Sequence, residues 1–123
     1  MMVNPYQTYQ QNSISTLSAK GILVRLHEKA LMELQAAQQA WENEDLSSMR
    51  PHVQYVQDII SCLRGSVDGS FEVSGTLVAL YNYYLVELAK IFINPTEKRF
   101  QEMYQFLSDW KETWSKAPNH EIV

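Results

Sequence analysis

The chain has 123 residues, of which 46% are hydrophobic and 20% are charged. This composition predicts a single globular domain over residues 1–123, because a disordered chain has fewer apolar residues and a larger charge imbalance. The net charge of -4 argues against nucleic acid as the main ligand, since phosphate binding requires clustered Lys and Arg. A single cysteine, Cys62, excludes an internal disulfide framework and a Cys-rich zinc site.

The first residues, MMVNPYQTYQQ, have neither the basic nor the apolar region of a secretory signal. No uninterrupted apolar run approaches the roughly 18 residues of a membrane span. We therefore expect a soluble cytoplasmic protein without a membrane span.

Residues 1–17 lack helical periodicity and predict an extended N-terminal arm. The arm is rich in Gln, Asn, Ser and Thr, and its apolar groups are Tyr6, Tyr9 and Ile14. Tyrosine gives a large contact area at a small entropic cost, so these residues suit a segment that docks and releases.

The first predicted helix covers about residues 19–43. Its apolar stripe has spacings of three and four residues and consists of Leu23, Leu26, Ala30, Leu34, Ala37 and Trp41. His27 lies on the apolar side of this helix. A packed imidazole with a hydrogen-bonded tip is favoured over a ligand or a base, because no second His, Cys or carboxylate accompanies it on the stripe.

The second predicted helix covers about residues 48–66, with Ser47 or Ser48 as its N-cap and Pro51 in its first turn. Its stripe consists of Met49, Val53, Val56, Ile60, Leu63 and Val67. Cys62 lies one position from this stripe, where we expect a buried or half-buried apolar side chain. The turn GSVDGS at residues 65–70 ends the helix.

The third predicted helix, residues 71–93, is the most apolar segment. Its apolar side covers about half of the helical circumference, which exceeds the roughly 100° that an ordinary surface helix buries. Leu77, Tyr81, Tyr84 and Leu88 are assigned to the core, and Val78, Leu85 and Ala89 flank them. Tyr83 and Val86 lie on the far side and have no assigned role.

The fourth predicted helix begins with Asn94 as N-cap, Pro95 as first residue and Glu97 as the returning acid of a capping box. Its stripe of Phe100, Met103, Leu107, Trp110 and Trp114 favours core packing over a stacking platform for bases or sugars. Pro118 ends the helix and residues 118–123 form a tail.

Four amphipathic helices with short connections predict an all-α, antiparallel, up-down-up-down four-helix bundle. The inward-facing Glu-x-x-His pairs of di-iron bundles are not present in the sequence. We therefore expect no metal, no cofactor and no catalytic site, and the protein is predicted not to be an enzyme.

Binding to another polypeptide is the function that the pattern favours. Besides the flank of the third helix, the second helix has a flank that includes Tyr55 and Ile59. We expect an apolar groove lined by Tyr55, Ile59, Val78, Leu85 and Ala89, in which Tyr6, Tyr9 and Ile14 of the arm lie and which a partner also uses. An arm that simply completes the core explains the same residues equally well.

Several segments resemble the flagellar export chaperone family FliS: NPYQTYQQNSI at residues 4–14, TLSAKG at 16–21, QDII at 57–60, LYNY at 80–83 and TW at 113–114. The sequence departs from the family pattern at Ala19, His27, Asn82 and residues 85–88. The resemblance implies a cytosolic chaperone that binds the C-terminal segment of flagellin, prevents early polymerisation and delivers it to the type III export apparatus, including export-gate components. It also implies that the arm can occupy part of the client surface.

Two other functions remain open from the residues alone. The first is a structural or regulatory bundle that self-associates through helix 71–93 as a stable dimer, whereas we expect the chaperone to be a monomer or a weak dimer. The second is a small metal or cofactor enzyme built on a helical bundle.

Overall fold

A computed structural model describes residues 19–67 and 74–116 of the chain. Four helices make up these ranges: α1 at Ala19–Glu42, α2 at Leu46–Gly65, α3 at Ser74–Ile93 and α4 at Glu97–Lys116. No strand occurs within them, so the predicted all-α four-helix bundle is confirmed. The predicted arm (1–17) and tail (118–123) lie outside the described residues.

Each helix packs against two neighbours. α1 contacts α2 and α4, α2 contacts α3, and α3 meets α4 along a looser boundary. The connections at residues 43–45 and 94–96 are too short to let consecutive helices run in the same direction.

The predicted stripes meet in one core. Its fully buried side chains include Leu34, Met49, Ile60, Leu88, Ile91, Phe100, Met103 and Leu107. Burial of such a side chain contributes about 1.5–3 kcal/mol, which makes this core the main source of stability. Trp110 and Leu77, near the ends of their stripes, are only partly buried and pack against the core from outside.

The connection between α1 and α2 ends the first helix with a Schellman motif. The Asp45 amide donates to the carbonyl of Ala40 and the Glu44 amide donates to that of Trp41, both at 2.9 Å. This geometry requires a left-handed residue, and Glu44 occupies that position with φ of 59°. A side chain with a Cβ is strained in this region, where glycine is not.

We expect Glu44→Gly to raise the free energy of unfolding by about 0.5–1 kcal/mol, because it removes the left-handed strain. Urea unfolding followed by circular dichroism measures this change. As the matched control, Glu28→Gly in the exposed middle of α1 should lower stability by about 1 kcal/mol. A loss of stability in both variants would contradict the role given to Glu44.

The predicted start of α2 is wrong by two residues. Asp45 is the N-cap, and its carboxylate accepts a hydrogen bond from the Ser48 amide at 3.1 Å. Pro51 therefore lies in the second turn rather than the first, and the carbonyl of Ser47 loses its helical donor. Ser47 is exposed, so water can satisfy that carbonyl.

The predicted cap of α4 is also wrong. The helix begins at Glu97, and the Thr96 hydroxyl accepts a hydrogen bond from the Arg99 amide at 3.1 Å. Thr96 thus has the capping role that the sequence pattern assigned to Asn94. Pro95 precedes the helix, where its missing N–H has no cost.

Candidate protein-binding surface

The outward side of α3 exposes a strip of apolar side chains. Tyr83 is 48% exposed, Val86 54% and Ile93 76%, and Ala79 is exposed on the same side. We call these four residues the outer α3 face. Lys90 lies within it, but its ammonium is 3.1 Å from the Glu87 carboxylate one turn earlier. The strip therefore has little charge of its own.

The apolar character of α3 is high enough to pass a membrane-span test by length and composition. Residues 75–93 have a mean hydropathy of 1.3. The inner side of the same helix places Tyr81, Tyr84, Leu88 and Ile91 in the bundle core. A core helix passes this test as readily as a membrane helix, so we assign α3 to the bundle.

An aromatic cluster bounds the outer α3 face on the α4 side. The ring of Phe106 stacks on Tyr84 at 5.2 Å and meets the edge of Tyr83 at 5.9 Å. Burial raises the pKa of Tyr84 to about 12, although a hydrogen bond from Trp110 opposes this shift. Tyr83, to which the sequence pattern assigned no role, therefore lies at the boundary between α3 and α4.

A groove bounds the outer α3 face on the α2 side. A cavity of about 110 Å³ is lined by Gln54, Gln57, Ala89, Phe92 and Ile93. The Arg50 guanidinium lies 5.5 Å from the centre of the Phe92 ring and donates to the Phe92 carbonyl at 3.4 Å.

The predicted flank residues of α3 lie on this groove side. Val78, Leu85 and Ala89 are half-buried, and Leu85 packs against the core. Ile93 belongs both to the groove and to the outer α3 face. The apolar surface is therefore continuous from the groove to the outer face.

The predicted flank of α2 faces α1 instead. Tyr55 is 45% exposed, and the Lys29 ammonium lies 5.2 Å from the centre of its ring. Ile59 is part of the buried core. Tyr55 and Gln57 are about 200° apart on the helix, so the two flanks lie on opposite sides of α2. The structure does not bring Tyr55 and Ile59 into one groove with Val78, Leu85 and Ala89.

An ion pair covers the α1–α2 side next to Tyr55. The His52 imidazole lies 2.6 Å from the Glu33 carboxylate, which is also 3.1 Å from Lys29. The His52 hydrogen bond is the main cause that lowers the pKa of Glu33. This side is polar and internally paired, which makes it a poorer apolar docking surface than the outer α3 face.

The predicted burial of Cys62 is wrong, because Cys62 is exposed. It lies two helical turns after Tyr55, on the exposed side of α2. The arm residues Tyr6, Tyr9 and Ile14 lie outside the described residues.

His27 is packed as predicted, with 1% of its surface exposed. Its Nδ1 lies 2.8 Å from the Leu23 carbonyl in the preceding turn. Desolvation by burial lowers its pKa, although the hydrogen bond to Leu23 opposes the shift. The folded protein therefore favours the neutral imidazole.

This burial predicts acid sensitivity. Below about pH 6.5 an unfolded chain protonates His27 while the folded chain resists protonation, so stability falls as the pH falls. We expect His27→Leu to show a smaller decrease in unfolding free energy between pH 7 and pH 5 than the unchanged protein, as measured by urea unfolding. Parallel decreases in the two proteins would contradict the burial of a neutral imidazole.

Within residues 19–67 and 74–116 no three His, Cys, Asp or Glu side chains lie together in a way that could hold a metal ion. The arrangement that the described residues do form is an apolar strip beside a groove on a stable bundle. Such a surface suits contact with an apolar helix or segment of another protein. The fold and the surface thus define a helical bundle with an exposed apolar face.

Comparison with known proteins gives the family. The family model described as "Flagellar protein FliS" matches residues 2–121. The chain is also 28% identical over 114 residues to the Flagellar secretion chaperone FliS of Bacillus subtilis (strain 168), a match covering 93% of this chain and 86% of that protein. The chain belongs to the FliS family, which confirms the resemblance read from the sequence. This is a family of chaperones and not of enzymes.

Sequence reasoning missed Phe92, Ile93 and Phe106 as parts of this surface. The signal was present in the wide apolar arc of α3, which extends beyond the core stripe on both sides. Phe92 contacts Arg50 and Phe106 contacts Tyr83, and periodicity does not predict such contacts.

Proposed function

We propose that this protein is a cytoplasmic export chaperone that binds the C-terminal segment of flagellin. It keeps that segment from polymerising early and delivers it to the flagellar type III export apparatus. Membership in the FliS family and the name of the Bacillus relative support the chaperone class.

The exposed apolar strip of α3 is the main observation that supports this choice of partner. A contiguous strip on a monomer is unusual, and Val86 and Ile93 have more than half of their surface exposed. An amphipathic client helix would cover these side chains with its own apolar face. A client that orders on binding loses conformational entropy, so it needs the large apolar contact that the strip and the groove together offer.

The groove residues extend this contact. Val78, Leu85 and Ala89 would contact the client from the side of the groove, next to Phe92 and Ile93. Tyr6, Tyr9 and Ile14 would compete with the client for part of the surface, whereas Tyr55 and Ile59 would act only if the client continued across α2. Export-gate components would then contact the loaded chaperone.

A calorimetric titration of the full chain with the C-terminal segment of the host's flagellin tests this function. We expect a complex that forms at or below tens of micromolar, with the negative heat-capacity change of apolar burial. No binding at these concentrations would refute the proposal.

Self-association through helix 71–93 is the second candidate, because two copies could cover the same exposed strip. Sedimentation of the free protein separates the two functions. A monomer or weak dimer that is dissociated by the flagellin segment supports the chaperone function. A stable dimer that ignores the segment supports self-association as the function.

A further inference from the structure

A second groove lies on the other side of the bundle, between the end of α1 and the start of α4. It has a volume of about 500 Å³ and is lined by Gln35, Gln38, Gln101, Tyr104 and Gln105. We call it the glutamine trough. All five side chains end in an amide or a hydroxyl group and none of them is charged.

The amides of the trough are only partly used within the described part of the chain. Gln35 Nε2 donates across the trough to the Tyr104 hydroxyl at 3.3 Å. The other three donate along their own helices to carboxylates: Gln38 to Glu42, Gln101 to Glu97 and Gln105 to Asp109. The amide oxygens accept no hydrogen bond from the described residues, so each amide can still bind a polar partner.

The spacing of these amides fits an extended polypeptide. Gln101 and Gln105 are four residues apart on α4, a rise of about 6 Å. Two residues of an extended chain span about 6.6 Å, so both amides can meet equivalent main-chain groups of one extended segment. A carboxamide offers a donor and an acceptor side by side, which matches main-chain N–H and C=O groups whatever the segment's side chains are.

The rim of the trough selects the charge of that segment. Glu42, Glu97 and Asp109, the acceptors of the trough amides, are exposed carboxylates. The nearby Lys98 is 3.9 Å from Glu102. A segment with Lys or Arg residues complements this rim. The side chains of residues 1–18 include no Lys or Arg, so these side chains do not complement the rim.

We infer that the glutamine trough binds an extended, Lys- or Arg-bearing segment of the exported client through that segment's main chain. This inference rests on the proposed function, because it assigns the segment to the same client. The outer α3 face holds an apolar part of the client, and the trough holds an extended part on the opposite side of the bundle.

The test uses the full ¹⁵N-labelled chain and the flagellin C-terminal segment, with NMR signals of side-chain amides and of the α3 backbone as readouts. We expect the four trough amides to shift together with α3. Shifts in α3 without shifts in the trough would overturn the inference and leave the proposed function intact. No shift anywhere would refute the proposed function and the inference with it.

Variants measure the contribution of the trough. Gln101→Ala with Gln105→Ala should reduce the affinity for the segment about five- to thirtyfold through two lost hydrogen bonds, without a loss of helix stability. The matched control Gln39→Ala, an exposed glutamine of α1 outside the trough, should leave the affinity unchanged. Equal affinities of the double variant and the control would overturn the inference.

The charge and the source of the occupant are tested separately. Glu42→Gln with Asp109→Asn should lower the affinity at low salt about threefold or more, and no change would overturn the basic character of the segment. Trough amides already shielded from solvent in the free chain would show that residues 1–18 or a second copy fill the trough. That result would overturn the assignment to the client.

Discussion

Replacing both Val86 and Ile93 by aspartate is expected to reduce the affinity for the flagellin C-terminal segment by at least about a hundredfold. Each substitution removes a large part of an apolar contact and places a carboxylate where the client would desolvate it without a partner. Two such losses together exceed about 2.7 kcal/mol, which corresponds to a hundredfold change in the dissociation constant. Calorimetric titration with the segment measures this effect.

The same double variant should fold normally. Both side chains are exposed in the free protein, and surface substitutions usually change stability by less than about 0.5 kcal/mol each. Met32→Asp is the matched control, since Met32 is 62% exposed but lies on α1. Binding that weakens equally in the control, or that survives in the double variant, would contradict the role of the outer α3 face.

Phe100→Ala is expected to lower the free energy of unfolding by about 3–5 kcal/mol. The Phe100 side chain is fully buried, and its ring centre is 5.5 Å from that of Trp41 on α1. Its loss leaves a cavity where α4 meets α1. Thermal and urea unfolding by circular dichroism should show a fall in the melting temperature of roughly 10 °C or more.

Tyr104→Ala on the same helix provides the control. Tyr104 is exposed, so removing its ring should cost less than about 1 kcal/mol. Similar losses in the two variants would mean that the core does not lie where α1 and α4 meet.

The bundle could be predicted from the sequence because each helix repeats its apolar residues at three and four positions. The buried residues include Leu34, Ile60, Leu88 and Met103, and each of them was predicted to face the core. Helix ends were predicted less well. Several residues near each end can cap a helix, and only geometry shows that Asp45 and Thr96 do so.

The candidate surface could be predicted only in part. The wide apolar arc of α3 was evident, but periodicity does not say which neighbour each flank faces. The contact of Tyr55 with Lys29 and the groove between Ala89 and Gln57 separate residues that the sequence analysis had placed together. The position of Tyr83 depends on its ring contact with Phe106, which lies on another helix.

Site-specific photo-crosslinking can show whether the outer α3 face contacts flagellin. A photoreactive phenylalanine analogue is placed at Val86 in one protein and at Met32 in another, and each is irradiated with purified flagellin. If this contact forms, we expect a crosslink from position 86 to the C-terminal segment of flagellin and little from position 32. Crosslinks of equal yield from both positions, or none from position 86, would contradict it.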